Sequence, residues 1–194
     1  MKLLFLLLTG YALLSQPGHA AAQAGVAVAR DQPAAGLEQP ATNRDQTAAN
    51  QAQLKACCQK IVRDMQRIYY LNNRNGKVRL VVRGIYTRGK SLFFSLKLIN
   101  RSALDYDVDS IRFFVAEKQK GVHPFQRVKE LAPMYVYASA ALVKGYSRTT
   151  SVFVLPRMTL ARHRRLQIEV LEKNGGRHLL VQASNFTLET AKLI

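Results

Sequence analysis

The chain has 194 residues and a mass of 21.8 kDa, with 29 Lys+Arg against 12 Asp+Glu and a formal net charge of +17. That length suits one domain with an appendage, and a hydrophobic content of 48 % excludes wholesale disorder. Two cysteines exclude a disulfide-dense mini-fold, and four histidines with no tryptophan leave little material for an elaborate cofactor site.

Residues 1–20 read as a secretory signal. Lys2 supplies the positive start, the segment from Leu3 to Leu14 is largely apolar, and small residues follow Pro17, with cleavage expected after Ala20. The run is shorter than the roughly 20 apolar residues that cross a bilayer, and no later segment approaches that length. Leu54-Lys55-Ala56-Cys57 mimics a lipid-attachment motif but lies too far downstream and contains a lysine. The expected mature protein is exported and soluble or peripherally attached. Residues 21–50, rich in Ala, Gln, Pro, Thr and Asn, read as a low-complexity linker because few large aliphatics offset the cost of ordering the backbone.

Over residues 51–73, Leu54, Cys58, Ile61, Met65 and Ile68 recur at spacings of four and three, which predicts an amphipathic helix. Its apolar stripe suits docking either on the following domain or on a partner. Cys57 and Cys58 point about 100° apart on such a helix and cannot easily bond to each other. They are either buried as small apolar side chains or free for an intermolecular disulfide in an oxidising compartment.

From residue 76 onward the period is that of strands. Residues 77–100 alternate around the turn Thr87-Arg88-Gly89-Lys90 and predict a hairpin. Leu104, Tyr106 and Val108 alternate with Asp105, Asp107 and Asp109, leading into IRFFVAEK and a loop at Lys120-Gly121. Further strands are expected at 125–128, 134–138 and 148–155, the last stopped by Pro156. RLQIEVLEK and RHLLVQAS then flank the turn Asn174-Gly175-Gly176. Seven to nine short strands without intervening helices predict an all-β, antiparallel, immunoglobulin-like sandwich over residues 76–194.

Most chemical motifs fail on inspection. The Asp105, Asp107, Asp109 series resembles a calcium loop, but the positions that need Gly and Glu hold Ser110 and Ala116. The three aspartates are expected on one exposed strand face instead. His123, His163 and His178 lack the paired spacing of a metal site. No catalytic, cofactor-binding or metal-binding residue is assigned, and no enzyme activity or cofactor is expected. What remains is charge. Residues 76–194 hold 21 Lys+Arg against eight Asp+Glu, a net +13, concentrated at Arg83/Arg88/Lys90 and at Arg162-His163-Arg164-Arg165. That balance favours polyanions, although no interleaving of basic and aromatic residues suited to stacking bases is visible.

Four stretches occur in order: YDVDSIRFFVAEK (106–118), LAPMYVY (131–137), VFVLPRMTL (152–160) and IEVLEKNGGRHL (168–179). With the hairpin VRLVVRGIYTRGKSLFFSLKLINRS (78–102), they resemble the C-terminal domain of the TraN proteins of Bacteroidetes-type conjugative transposons. The resemblance implies an exported, non-enzymatic structural component of a conjugative, type IV secretion-like mating pore. Such a protein would be periplasmic or attached to the outer membrane and act through contacts with other transfer proteins. The alternative is a periplasmic module that binds DNA or anionic envelope material electrostatically.

Overall fold

The computed structural model describes residues 42–64, 68, 70–117 and 126–194. The expected signal at 1–20, the linker up to residue 41, Met65, His123, Phe125 and the loop at Lys120-Gly121 lie outside the described residues.

A helix, α1 (Thr42–Arg63), precedes eleven strands among the described residues. These are β1 (Asn72–Asn75), β2 (Val78–Arg88), β3 (Ser91–Asn100), β4 (Tyr106–Glu117), β5 (Gln126–Leu131) and β6 (Tyr135–Tyr137). They continue with β7 (Leu142–Val143), β8 (Arg148–Pro156), β9 (Arg164–Glu172), β10 (Leu179–Ala183) and β11 (Lys192–Leu193). A short helix, α2 (Asn185–Glu189), falls between the last two strands and is capped by the Ser184 side chain.

The strands form two sheets, ordered β1-β2-β3-β8-β6 with β11 beside β2, and β10-β9-β4-β5 with β7 beside β4. Every pairing is antiparallel except that of β11 with β2. With β2, β3, β4, β5, β6, β8, β9 and β10 lettered A, B, C, C′, D, E, F and G, the sheets read ABED and GFCC′. That is the immunoglobulin arrangement with a C′ strand added. The all-β sandwich expected from the alternation is therefore the fold. The strand count exceeds seven to nine because β1, β7 and β11 add short pieces to its edges.

Alternation explains the core. Val78, Leu80, Val82 and Ile85 of β2 and Leu92, Phe94, Leu96 and Leu98 of β3 face inward. They meet Phe113 and Val115 of β4 and Leu166, Ile168 and Val170 of β9. Each fully buried side chain of this size contributes about 1.5–3 kcal/mol of transfer free energy. Immunoglobulin domains place a tryptophan and an inter-sheet disulfide at this centre; this chain has no tryptophan and both cysteines lie in α1. Three phenylalanines take that place. Phe113 from one sheet sits 5.8 Å from Phe94 and 5.3 Å from Phe153 of the other, all tilted as aromatic pairs prefer.

Two sequence boundaries need correction. The helix begins at Thr42, within the stretch expected as linker, and ends at Arg63 instead of continuing to residue 73. Ala48, Ala49, Ala52 and the neighbouring glutamines are good helix formers that need no buried face, and residues 46–53 are exposed on every side. At the other end, the Arg83 guanidinium donates to Val62 O (3.3 Å) and Asp64 O (2.7 Å), satisfying carbonyls that the helix leaves open. Beyond the helix, two backbone bonds reach β2: Ile68 N donates to Arg83 O at 3.0 Å, and Val82 N donates to Leu71 O at 2.9 Å. β1 follows and closes on β2 through a two-residue turn in which Gly76 has φ +58°.

The stripe on α1 docks on its own domain. Cys57, Cys58 and Ile61 are buried against Tyr86, Phe93, Val152 and Val154 on the outer face of the ABED sheet, with Leu54 partly buried beside them. Gly84, at a bulge in β2, is needed there because the Tyr86 ring lies 2.7 Å from where its Cβ would stand.

Candidate interaction surface

The two concentrations of charge seen in sequence dissolve in the structure. Arg83 caps α1, and Arg88 places Nη1 3.0 Å from Cys57 Sγ, so both serve helix packing, leaving Lys90 exposed at the β2–β3 turn. In the second group, His163 Nε2 lies 3.1 Å and Arg164 Nη2 3.3 Å from the Glu117 carboxylate. Arg165 donates to the carbonyls of Arg162 and Arg164. The His163 side chain, just before β9, is 54 % exposed and that of Glu117, at the end of β4, is 33 % exposed.

Neither cysteine is disulfide-bonded, and both are buried. Burial, with Cys57 beside it, pushes the Cys58 thiol up to about 12, which leaves it protonated and unreactive at neutral pH. Among the described residues, no group of three His, Cys, Asp or Glu could hold a metal ion. Asp105, Asp107 and Asp109 are each exposed, but they do not share one strand face as expected: Asp105 precedes β4, Asp109 sits at a register shift, and Asp105 accepts a bond from Gly145 N at 2.8 Å.

What sequence reading missed is where charge lies once strands are paired. The six ABED strands carry Arg74, Arg79, Arg83, Arg88, Lys97, Arg148 and Lys192 and no acidic residue. The GFCC′ strands carry Arg112, Arg127, Lys129, Arg164 and Arg165 against Asp107, Asp109, Glu117, Glu130, Glu169 and Glu172. On the outer face of that second sheet the charges pair off. Arg112 forks onto Glu130 at 2.8 and 2.7 Å, Arg127 bonds Glu169, and His178 Nε2 reaches the same Glu169 carboxylate at 2.9 Å. Arg112 and Arg127 also cover the Phe114 ring, with guanidinium carbons 4.9 and 4.2 Å from its centroid, which leaves this ring on the outer face only 5 % exposed.

The loops at the β3–β4 end are rigidly held. Arg177 pairs with Glu172, stacks over Tyr106 at 5.1 Å and donates to Asp105 O at 2.6 Å, while Tyr106 Oη donates to Arg177 O at 2.8 Å. The Arg177 guanidinium, hydrogen-bonded to Glu172, lowers that carboxyl below its ordinary value.

On the uncovered half of the ABED face, pairing register builds two rows. Arg74 stands opposite Arg79, Arg79 opposite Ile99, and Ile99 opposite Arg148; the next row runs Asn72, Val81, Lys97, Thr150. Beside them lies a recess of about 430 Å³ lined by Ile99, Asn100, Arg101, Tyr146, Ser147 and Arg148.

A family model described as "Domain of unknown function (DUF4138)" matches residues 51–193, from the middle of α1 to β11. The chain belongs to this family. No curated protein matches the chain, and no solved structure does either. The DUF4138 match covers all eleven described strands, so the basic rows and the paired acidic face both lie inside the family domain.

Proposed function

We propose that this chain is an exported, non-enzymatic structural component of a conjugative transfer apparatus, acting through contacts with other proteins of a type IV secretion-like mating pore. The observation that carries the reading is the ordered series of four stretches resembling the TraN C-terminal domain, all within the family-matched span. They occupy β4, the β5–β6 connection, β8 and the β9–β10 turn, elements that build the sandwich and hold its loops. Residues 1–20 supply the export signal of this reading, and location in the periplasm or at the outer membrane follows from it. No described helix is long and apolar enough to cross a membrane.

Deleting the gene from its host element is expected to reduce transfer frequency in mating assays, with complementation restoring it. Unchanged transfer in a clean deletion would remove the proposal.

A second reading, a module binding polyanions, is favoured by the ABED sheet, whose strands carry seven basic residues and no carboxylate. Heparin retention that falls steeply with salt would support it; elution at low salt would not.

A further inference from the structure

The rows on the uncovered half of the ABED face are electrostatically frustrated. Paired residues on neighbouring strands lie about 5 Å apart on one side of a sheet, and like charges directly opposite destabilise it. Arg74 nevertheless stands opposite Arg79, with Arg148 two strands further along the same row. The neighbours that these guanidiniums do find are neutral: Arg79 Nε and Nη2 donate to Asn72 Oδ1 at 3.2 and 2.9 Å, and Arg74 Nε donates to Gly76 O at 2.6 Å. No strand of this sheet offers a carboxylate. On the opposite sheet the same residue type is matched to glutamate at 2.7 Å.

A second observation lies at the end of these rows. Tyr146 is held in the left-handed region at φ 54°, which a bulky side chain rarely adopts, with its side chain 76 % exposed. Tyr146 N donates to Ser102 O at 3.0 Å, and the preceding Gly145 N is fixed by Asp105 Oδ1. The backbone is over-determined, and its effect is to present an aromatic ring beside Arg101 and Arg148. Leu104 on the loop bonded to it is 73 % exposed.

We infer that this face, from Arg74 across Arg79, Ile99 and Arg148 to Tyr146, docks an acidic protein segment in which carboxylates alternate with aliphatic side chains. The inference rests on the protein-contact reading above and names the chemistry of one partner. Carboxylates suit the arginine forks. The half-buried Ile99 and Val81 set between the basic side chains reward aliphatic groups, which a phosphodiester backbone does not supply. Stacking successive bases would call for several aromatics along the rows, where this face offers the ring of Tyr146 at its end. A second copy of the chain is disfavoured by a net charge of +17, which makes two copies repel.

The test is fluorescence anisotropy on the full chain with four probes: a labelled peptide alternating Glu and Leu, one alternating Glu and Ser, a single-stranded oligothymidylate, and phosphatidylglycerol vesicles. The Glu–Leu peptide is expected to bind tightest. Arg79→Glu and Arg148→Glu should each weaken it about tenfold. Arg162→Glu, the same charge change outside the face, should leave it within about twofold. Arg79→Gln, a milder change, guards against misfolding, with near-ultraviolet circular dichroism as the check. Equal or tighter binding of oligothymidylate or vesicles would overturn the inference in favour of a general polyanion site. Equal weakening by Arg162→Glu, or indifference to Arg79 and Arg148, would overturn it as well. In the deletion strain the two ideas separate. Full rescue of transfer by Arg79→Glu/Arg148→Glu would remove this docking face while leaving the transfer role intact, whereas a deletion without a transfer defect would remove the role itself.

Discussion

The outer faces of the two sheets meet solvent in opposite ways. The GFCC′ face is self-neutralising: Glu130 and Glu169 are matched to Arg112 and Arg127, whose planes shield Phe114. The ABED face is half covered by the apolar side of α1 and half left with basic rows on strands that carry no carboxylate. The difference teaches that a net charge is not a property of the whole surface. In this chain, pairing the strands collects the acids on one sheet and leaves the excess of cations on the other.

The largest expected effect belongs to the residue both sheets share. Phe113→Ala should cost about 3–5 kcal/mol in urea denaturation, since it empties the contact between Phe94 and Phe153. A loss below about 1 kcal/mol would mean that the sheets do not depend on this trio. Ile61→Ala, which touches the ABED side alone, should cost about 2–4 kcal/mol. It should also speed the reaction of Cys57 and Cys58 with Ellman's reagent; unchanged protection would show that the helix is held by something else.

On the other sheet, Glu172→Gln should cost about 1–3 kcal/mol at neutral pH, because it removes the charge paired with Arg177 and one of the two oxygens that accept from it. The Glu172 carboxyl is lowered in the folded state, mainly by its hydrogen bond from Arg177, so its contribution is complete above the ordinary glutamate value. That contribution is lost as pH falls through the lower folded value. The gap between wild type and Glu172→Gln should therefore narrow below about pH 4. A gap constant down to pH 2 would contradict the pairing. The smallest effect has the opposite sign: Arg74→Glu should stabilise by about 0.2–1 kcal/mol by placing a carboxylate opposite Arg79. Destabilisation there would show that the row is not strained by repulsion.

Much of the sandwich was legible because the inward residues of β2, β3, β8 and β9 are almost all large and apolar, so period two stands out against basic or polar neighbours. β1 was not, because Asn72-Asn73-Arg74-Asn75 has no apolar residue and is a strand only through its ladder to β2. Polar residues 46–50 read as linker for the same reason: helical positions exposed on all sides leave no hydrophobic stripe. The basic face was hidden more deeply. Arg74, Arg79 and Arg148 are far apart in the chain, and only register places them in one row. Conversely, Arg162-His163-Arg164-Arg165 is conspicuous in sequence and partly neutralised by Glu117, a residue on another strand.

β11 has a consequence for how the molecule breathes. Two residue pairs tie it to β2, supported by the backbone bond from Ile194 to Thr87 and by Lys192 on Asp64 at 2.7 Å. So short a zip is where amide exchange with heavy water should begin. Ile194 packs in the same apolar cluster as α1, and Asp64 is the residue just past the end of that helix. Opening of β11 would therefore loosen the footing of α1 first, leaving the Phe94–Phe113–Phe153 centre closed.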